Sequence, residues 1–219
     1  MDIIKVLKLD LLSVRPYLTI KNLIILTALG TFYGVLSKNS FTVLAIAQMF
    51  AMLFSGYPFL VGEESGIDPL YKLFGIKSKD VVIGRYLLAA IFVGVMLIVG
   101  VMLALIIAKI WPMENGRQGL LLAALVTGAV SLFIIFIEYP IYFKHGYKKG
   151  KTLAMIPFLL VGIAGLIGTF FGEQFKTVLR MVFMNKTVSA MVALVIWAFV
   201  LLLLLSFQLS KKFYSERDF

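Results

Sequence analysis

The chain has 219 residues, 61% of them hydrophobic, a mean hydropathy of +1.01 and a formal net charge of +10. So apolar a composition exceeds what a soluble domain of this size can hide inside itself, and the absence of cysteine excludes disulfides and thiolate metal sites. The basic residues sit at the ends of apolar segments, where they set orientation and meet anionic headgroups, so the charge does not point to nucleic acid.

Six apolar segments occupy 17–36, 41–62, 86–111, 119–143, 153–172 and 187–210. A helix needs about 20 residues to cross the ~30 Å hydrocarbon core, and each segment has about that length. The expected fold class is an all-α polytopic membrane protein, with 1–219 as a single transmembrane domain. The connections are short, so an ATP-hydrolysing or sensory domain is expected on another chain.

In chain order, residues 2–15 read as an amphipathic helix in the inner interface. Ile3, Ile4, Leu7, Leu11 and Val14 share one face, opposite Lys5, Lys8 and Arg15. No small-residue cleavage site precedes the first span, which is expected to remain as an anchor. After the second span, Asp68 suits an N-cap, Pro69 the first helical position and Gly75 the C-cap. These three positions predict a helix of two turns with Leu70, Leu73 and Phe74 on one side, needing a lipid surface or a protein partner. Ser78 and Asp80 then start the third span's helix.

The stretch 112–118 around Asn115-Gly116 reads as an external turn, and 144–151 as a short, basic inner loop. Between the fifth and sixth spans, Phe175, Val178, Leu179, Val182 and Phe183 follow the helical period and predict an external amphipathic helix. With the N-terminus inside, the inner segments hold fifteen Lys and Arg residues and the outer ones six. That bias puts both termini in the cytoplasm of a multi-pass protein of the cell membrane.

Few motifs carry chemistry. Gly146-Tyr147-Lys148-Lys149-Gly150-Lys151-Thr152 has three residues between its glycines where a phosphate-binding loop needs four, and it follows an apolar span rather than a strand. It reads as a positive-inside loop. Gly30-x-x-x-Gly34 and Gly168-x-x-x-Gly172 read as close intrachain helix packing. His145 is the sole histidine, so neither a zinc hydrolase motif nor a Ser-His-Asp site can be built. No catalytic residue, cofactor or metal site is expected in the chain itself.

Polar groups within the spans are Gln48, Thr127, Ser131, Glu138 and Gln208. Glu138, six residues before Lys144, is expected to be structural rather than a proton relay. With Phe50, Phe54, Tyr57 and Phe133, the first four of these polar residues form the candidate lining of a transport path. Such a lining suits amphipathic peptides or lipids better than sugars or metal ions, which need fixed polar ligands.

The run from Pro58 through Glu63-Glu64 and Asp68-x-Leu70-Tyr71 to Gly75-Ile76-Lys77-Ser78-Lys79-Asp80-Val81-Val82-x-Gly84-Arg85-Tyr86-Leu87 resembles the small type-2 permeases of ATP-binding cassette exporters. Within them it is most similar to the subgroup that includes the permeases of the phenol-soluble modulin exporter. Pro140-x-x-Phe143-Lys144-x-Gly146 resembles a second signature. The chain departs from the family pattern at Phe74-Gly75, where leucine-proline is usual, and at His145, where phenylalanine is usual.

The resemblance implies a second permease subunit, as homodimer or heterodimer, and two cytoplasmic ATPase subunits that hold ATP and magnesium. Ile67, Asp68, Leu70, Tyr71, Leu73, Phe74 and Ile76 would then form the coupling helix that docks into the ATPase. The implied cargo is hydrophobic or amphipathic peptide. Two other classes fit the composition: a stand-alone secondary transporter or channel, and an immunity protein that sequesters a peptide. The first should show broken or polar midplane helices, and the second does not account for the short inner helix.

Overall fold

The computed structural model describes residues 2–111, 116–170 and 188–217, and its regular elements are all helical. In order they are α1 (Asp2–Val14), α2 (Ile20–Ser37), α3 (Ser40–Ser65), α4 (Ile67–Leu73), α5 (Ser78–Ile110), α6 (Gly116–Phe170) and α7 (Val188–Glu216), with a 3-10 turn Arg15–Tyr17 after α1. Helix α3 is the centre of the bundle. It packs most broadly on α5 and α6 and also meets α1, α2 and α4, while α7 lies against α6.

Small residues set these contacts. A Cβ on Gly30 would come 2.7 Å from Leu103, and one on Gly34 would come 2.5 Å from Val43, so this pair seats α2 on α5 and α3. Gly168 and Gly172 lie outside the residues whose side-chain surroundings are described. A Cβ on Gly84 would come 2.7 Å from Val6, which brings α1 directly onto α5.

Ile24, Phe32 and Leu36 on α2, Ile98 and Met102 on α5, Leu121 and Leu125 on α6, and Trp197 and Leu201 on α7 are all exposed. Only a hydrocarbon surrounding makes so much outward apolar surface stable. Among the described residues, five helices are long and apolar enough to cross a membrane: Ile20–Ser37, Ser40–Ser65, Ser78–Ile110, Gly119–Pro157 and Ile196–Glu216.

That count is five where the sequence predicts six. The fourth and fifth expected spans fall within α6, and the expected loop at 144–151 is helical on both sides of Gly146, whose φ of 76° and ψ of 174° break the helix. Nine residues of straight helix would separate Ile141 from Gly150 by about 13 Å. Yet a Cβ on Gly150 would stand 3.3 Å from the Ile141 carbonyl oxygen and 3.1 Å from the Tyr142 ring. The chain therefore folds back at one residue, and α6 is an antiparallel pair of arms. Glycine meets a double requirement there. The backbone angles suit no L side chain, and a Cβ would fall 2.9 Å from both Arg217 and Glu63.

Three further expectations change. The buried stripe of α1 is Val6, Asp10 and Val14, whereas Ile4 and Leu11 of the expected apolar face are exposed. The protein contacts take one face and leave leucines and isoleucines for the membrane surface. The N-cap of α4 is Gly66 in the left-handed region rather than Asp68, which sits in the first turn with its side chain committed elsewhere. Ser78 opens α5 without serving as its cap. The expected external helix at 173–186 lies outside the described residues, as do 112–115 of the external turn.

Candidate functional site

Around Arg85 the structure gathers polar side chains from three other helices. The Arg85 side chain is 1% exposed, and its Nη2 donates to Asp68 Oδ1 at 2.5 Å while Nε donates to Asp10 Oδ2 at 3.4 Å. The Tyr71 hydroxyl donates to Asp10 Oδ1 at 2.9 Å, and the Tyr214 hydroxyl reaches Asp68 Oδ1 at 3.5 Å. The guanidinium lies over the Phe59 ring at 4.6 Å and nearer to it than to Phe143 at 5.7 Å. A Cβ on Gly62 would stand 3.0 Å from both Arg85 Nη2 and Asp68 Oδ2, so the missing side chain leaves room for the pair.

One guanidinium thus serves two carboxylates, with tyrosine hydroxyls supplying the remaining donors. Burial raises the Asp10 carboxyl above its ordinary value of 3.8, and Arg85 and Tyr71 pull it partly back. Burial, with Asp10 next in effect, pushes the Tyr71 hydroxyl far up, so it stays a donor. Removing one member of such a buried set typically costs about 3–5 kcal/mol, because the others keep their desolvation penalty.

The cluster holds α4 in one orientation. Asp68 and Tyr71 face inward to Arg85 and Asp10, while Leu70, Leu73 and Phe74 are 43%, 78% and 73% exposed. Ile67 and Ile76 are half-buried at its two ends. Its C-terminus closes as the Gly75 signal predicts: Gly75 has φ 68°, its N–H donates to the Lys72 carbonyl, and the Ile76 N–H donates to the Tyr71 carbonyl at 2.9 Å. In the last turn of α3, Glu63 Oε2 accepts from the Tyr147 and Lys148 N–H groups at 2.7 and 3.1 Å. Glu63 therefore caps the second arm of α6 from α3.

The candidate path residues divide among three places. Gln48, Thr127 and Ser131 line a cleft of about 340 Å³ between α3 and α6. Gln48 donates to the Val93 carbonyl at 3.2 Å, and among the described residues its buried Oε1 has no partner. Thr127 and Ser131 donate back to Ala123 and Thr127 carbonyls of their own helix. Phe50 and Phe54 pack with Leu26, Leu88 and Phe92 on the α3 face turned to α2 and α5, where Tyr57 stacks with Tyr17 at 4.7 Å. Phe133 is exposed. Glu138 lines a second cleft, with Met49, Tyr142 and Lys151.

Asp10 and Tyr214 are the members of the Arg85 cluster that sequence reasoning misses. The signal for Asp10 is an acid at helical spacing between Val6 and Val14, on a face secondary to the leucine-rich one. Arg85 enters the sequence reading as an orienting charge and as part of the run that resembles the permeases, and its pairing across the turn to Asp68 has no signature in spacing.

The family described as "ABC-2 family transporter protein" matches residues 5–215. The chain belongs to that family. No curated protein and no solved structure matches it. Membership makes this ABC-2 chain a membrane-embedded transport component whose working partner is an ABC ATPase. The match takes in the whole Arg85 cluster, from Asp10 on α1 to Tyr214 on α7.

Proposed function

We propose that the chain is the permease subunit of an ATP-driven exporter and that α4 is the element through which the ATPase drives it. The observation that carries the proposal is the division of α4 into two faces. One is pinned by Asp68 and Tyr71 to a buried ion cluster, and the other presents Leu70, Leu73 and Phe74 bare at the edge of the protein. An apolar face held this rigidly serves a protein partner, since force applied to it passes directly to Arg85 on α5 and Asp10 on α1. Helix α5, at 33 residues, is about 50 Å long and exceeds the ~30 Å hydrocarbon core, which leaves its first turns and the cluster at the aqueous boundary.

In this arrangement both termini and α4 face the cytoplasm, the second arm of α6 completes a set of six crossings, and two permease copies pair over two ATPase copies. ATP and magnesium are held by the ATPase. The cargo is hydrophobic or amphipathic peptide, a reading supported by the resemblance to the phenol-soluble modulin exporter permeases and by the sparse polar lining of the clefts between α3 and α6. Co-expression with the cognate ATPase should yield a detergent-stable complex of two copies of each subunit, with ATP hydrolysis only in the complex. Robust hydrolysis by the purified permease alone would overturn the assignment.

A further inference from the structure

We infer that the cleft between α3 and the two arms of α6 is a binding site for a lipophilic ammonium compound with a single apolar chain. Two features set it apart from the other clefts. Glu138 is the acidic residue of its lining, and among the described residues its side chain has no hydrogen-bond or ion-pair partner. The rings of Tyr142 and Tyr147 stand beside it with centroids 5.3 Å apart. An acidic side chain in a cleft lined by two electron-rich rings is the chemistry that holds an ammonium group, whose charge in turn favours the ionised carboxylate.

The remaining lining is apolar and adaptable. Met49, Met52 and Met155 supply flexible thioether chains that accommodate varied shapes. The cleft's volume is about 250 Å³, slightly below the ~300–1,000 Å³ that encloses a drug-sized ligand. It has room for an ammonium head and the first part of one chain, and not for a two-chain glycerolipid.

Lys151, on the rim, supports the assignment. Its ammonium lies 5.9 Å from the centre of the Tyr147 ring, and among the described residues no ion pair joins it to Glu138. The ring thus already faces a tethered cation, and a ligand ammonium would take the deeper position between that ring and the carboxylate. Closure of the cleft depends on the reversal at Gly146, which brings Lys151 and Met155 of one arm over Glu138 and Tyr142 of the other. Binding here requires no ATPase, so the claim stands or falls apart from the coupling role of α4.

The test uses the full chain, purified in a neutral maltoside detergent, and a pair of photoactivatable ten-carbon probes, one a primary ammonium and one the corresponding alcohol. The ammonium probe should label Met49 or Met155 at about tenfold lower concentration than the alcohol. Glu138→Gln should abolish that difference while leaving alcohol labelling unchanged, which also reports that the cleft is still formed. Lys151→Met, which removes the tethered competitor, should strengthen ammonium labelling. Equal labelling by the two probes, an unaltered preference in Glu138→Gln, or displacement of the ammonium probe by equimolar phosphatidylethanolamine would each overturn the assignment.

Discussion

Arg85 stands where four helices meet, and its environment decides what each substitution does. Arg85→Met keeps the length of the side chain but leaves Asp10 and Asp68 buried without their cation, so a loss of about 3–5 kcal/mol is expected. Thermal unfolding of the detergent-solubilised protein measures it, and an unchanged midpoint would contradict the cluster's role.

Asp10 gives a prediction with a sign. Its folded-state value is raised, so its contribution to stability is fully present below the ordinary value of 3.8 and is lost as pH rises through the raised value. Asp10→Asn fixes the neutral form. The variant should therefore gain on the wild type as pH rises through that window, and parallel midpoints across pH would contradict the shift. Neither Asp10 nor the pairing of Arg85 was legible as a site in the sequence, because burial of an ion pair is a property of which faces meet and not of spacing along one helix.

At the scale of elements, the sequence was most informative where backbone chemistry is local. Gly75 predicted the end of α4 and the structure closes the helix there with both carbonyls satisfied. Asp68 carried an equally good local signal for an N-cap, and tertiary structure overrode it, because a buried Arg85 offers the carboxylate a stronger partner than a helix N-terminus does. The lysines and glycines of 144–151 predict a loop. The structure makes the reversal at Gly146 alone, and Glu63 supplies from another helix the cap that a loop residue would have given.

That economy concentrates the demand on one position. Gly146→Ala adds a Cβ 2.9 Å from Glu63 and Arg217 at a φ of 76°, where backbone strain alone costs about 1–3 kcal/mol. A markedly lower unfolding midpoint is expected for Gly146→Ala, whereas Gly66→Ala, with φ 68° and open space around it, should suffer the backbone strain without the clash. Equal midpoints for the two variants would argue against the tight reversal.

For the whole molecule, the membrane character and the all-helical class were legible because hydropathy and length are summed over twenty residues at a time. The arrangement of the candidate path was not. Gln48 and Phe50 are two residues apart yet belong to different faces of α3, one toward α6 and one toward α2 and α5. The topology proposed from the charge bias is open to direct measurement on a chain with no native cysteine. Asn115→Cys and Lys176→Cys should react with a membrane-impermeant thiol reagent in intact cells, and Lys149→Cys should not. External labelling at position 149 would reverse the orientation.

The central claim is that the exposed face of α4 receives the ATPase, and Leu73→Asp tests it most directly. Leu73 is 78% exposed and touches none of the buried cluster, so a carboxylate there leaves the permease folded. In an apolar contact with a partner it would be an unpaired buried charge, costing about 3–5 kcal/mol. The measurement is co-purification of the ATPase with the variant, alongside the unfolding midpoint of the permease itself. The account predicts a wild-type midpoint and loss of the bound ATPase. A wild-type midpoint with the ATPase fully retained and transport intact would contradict it.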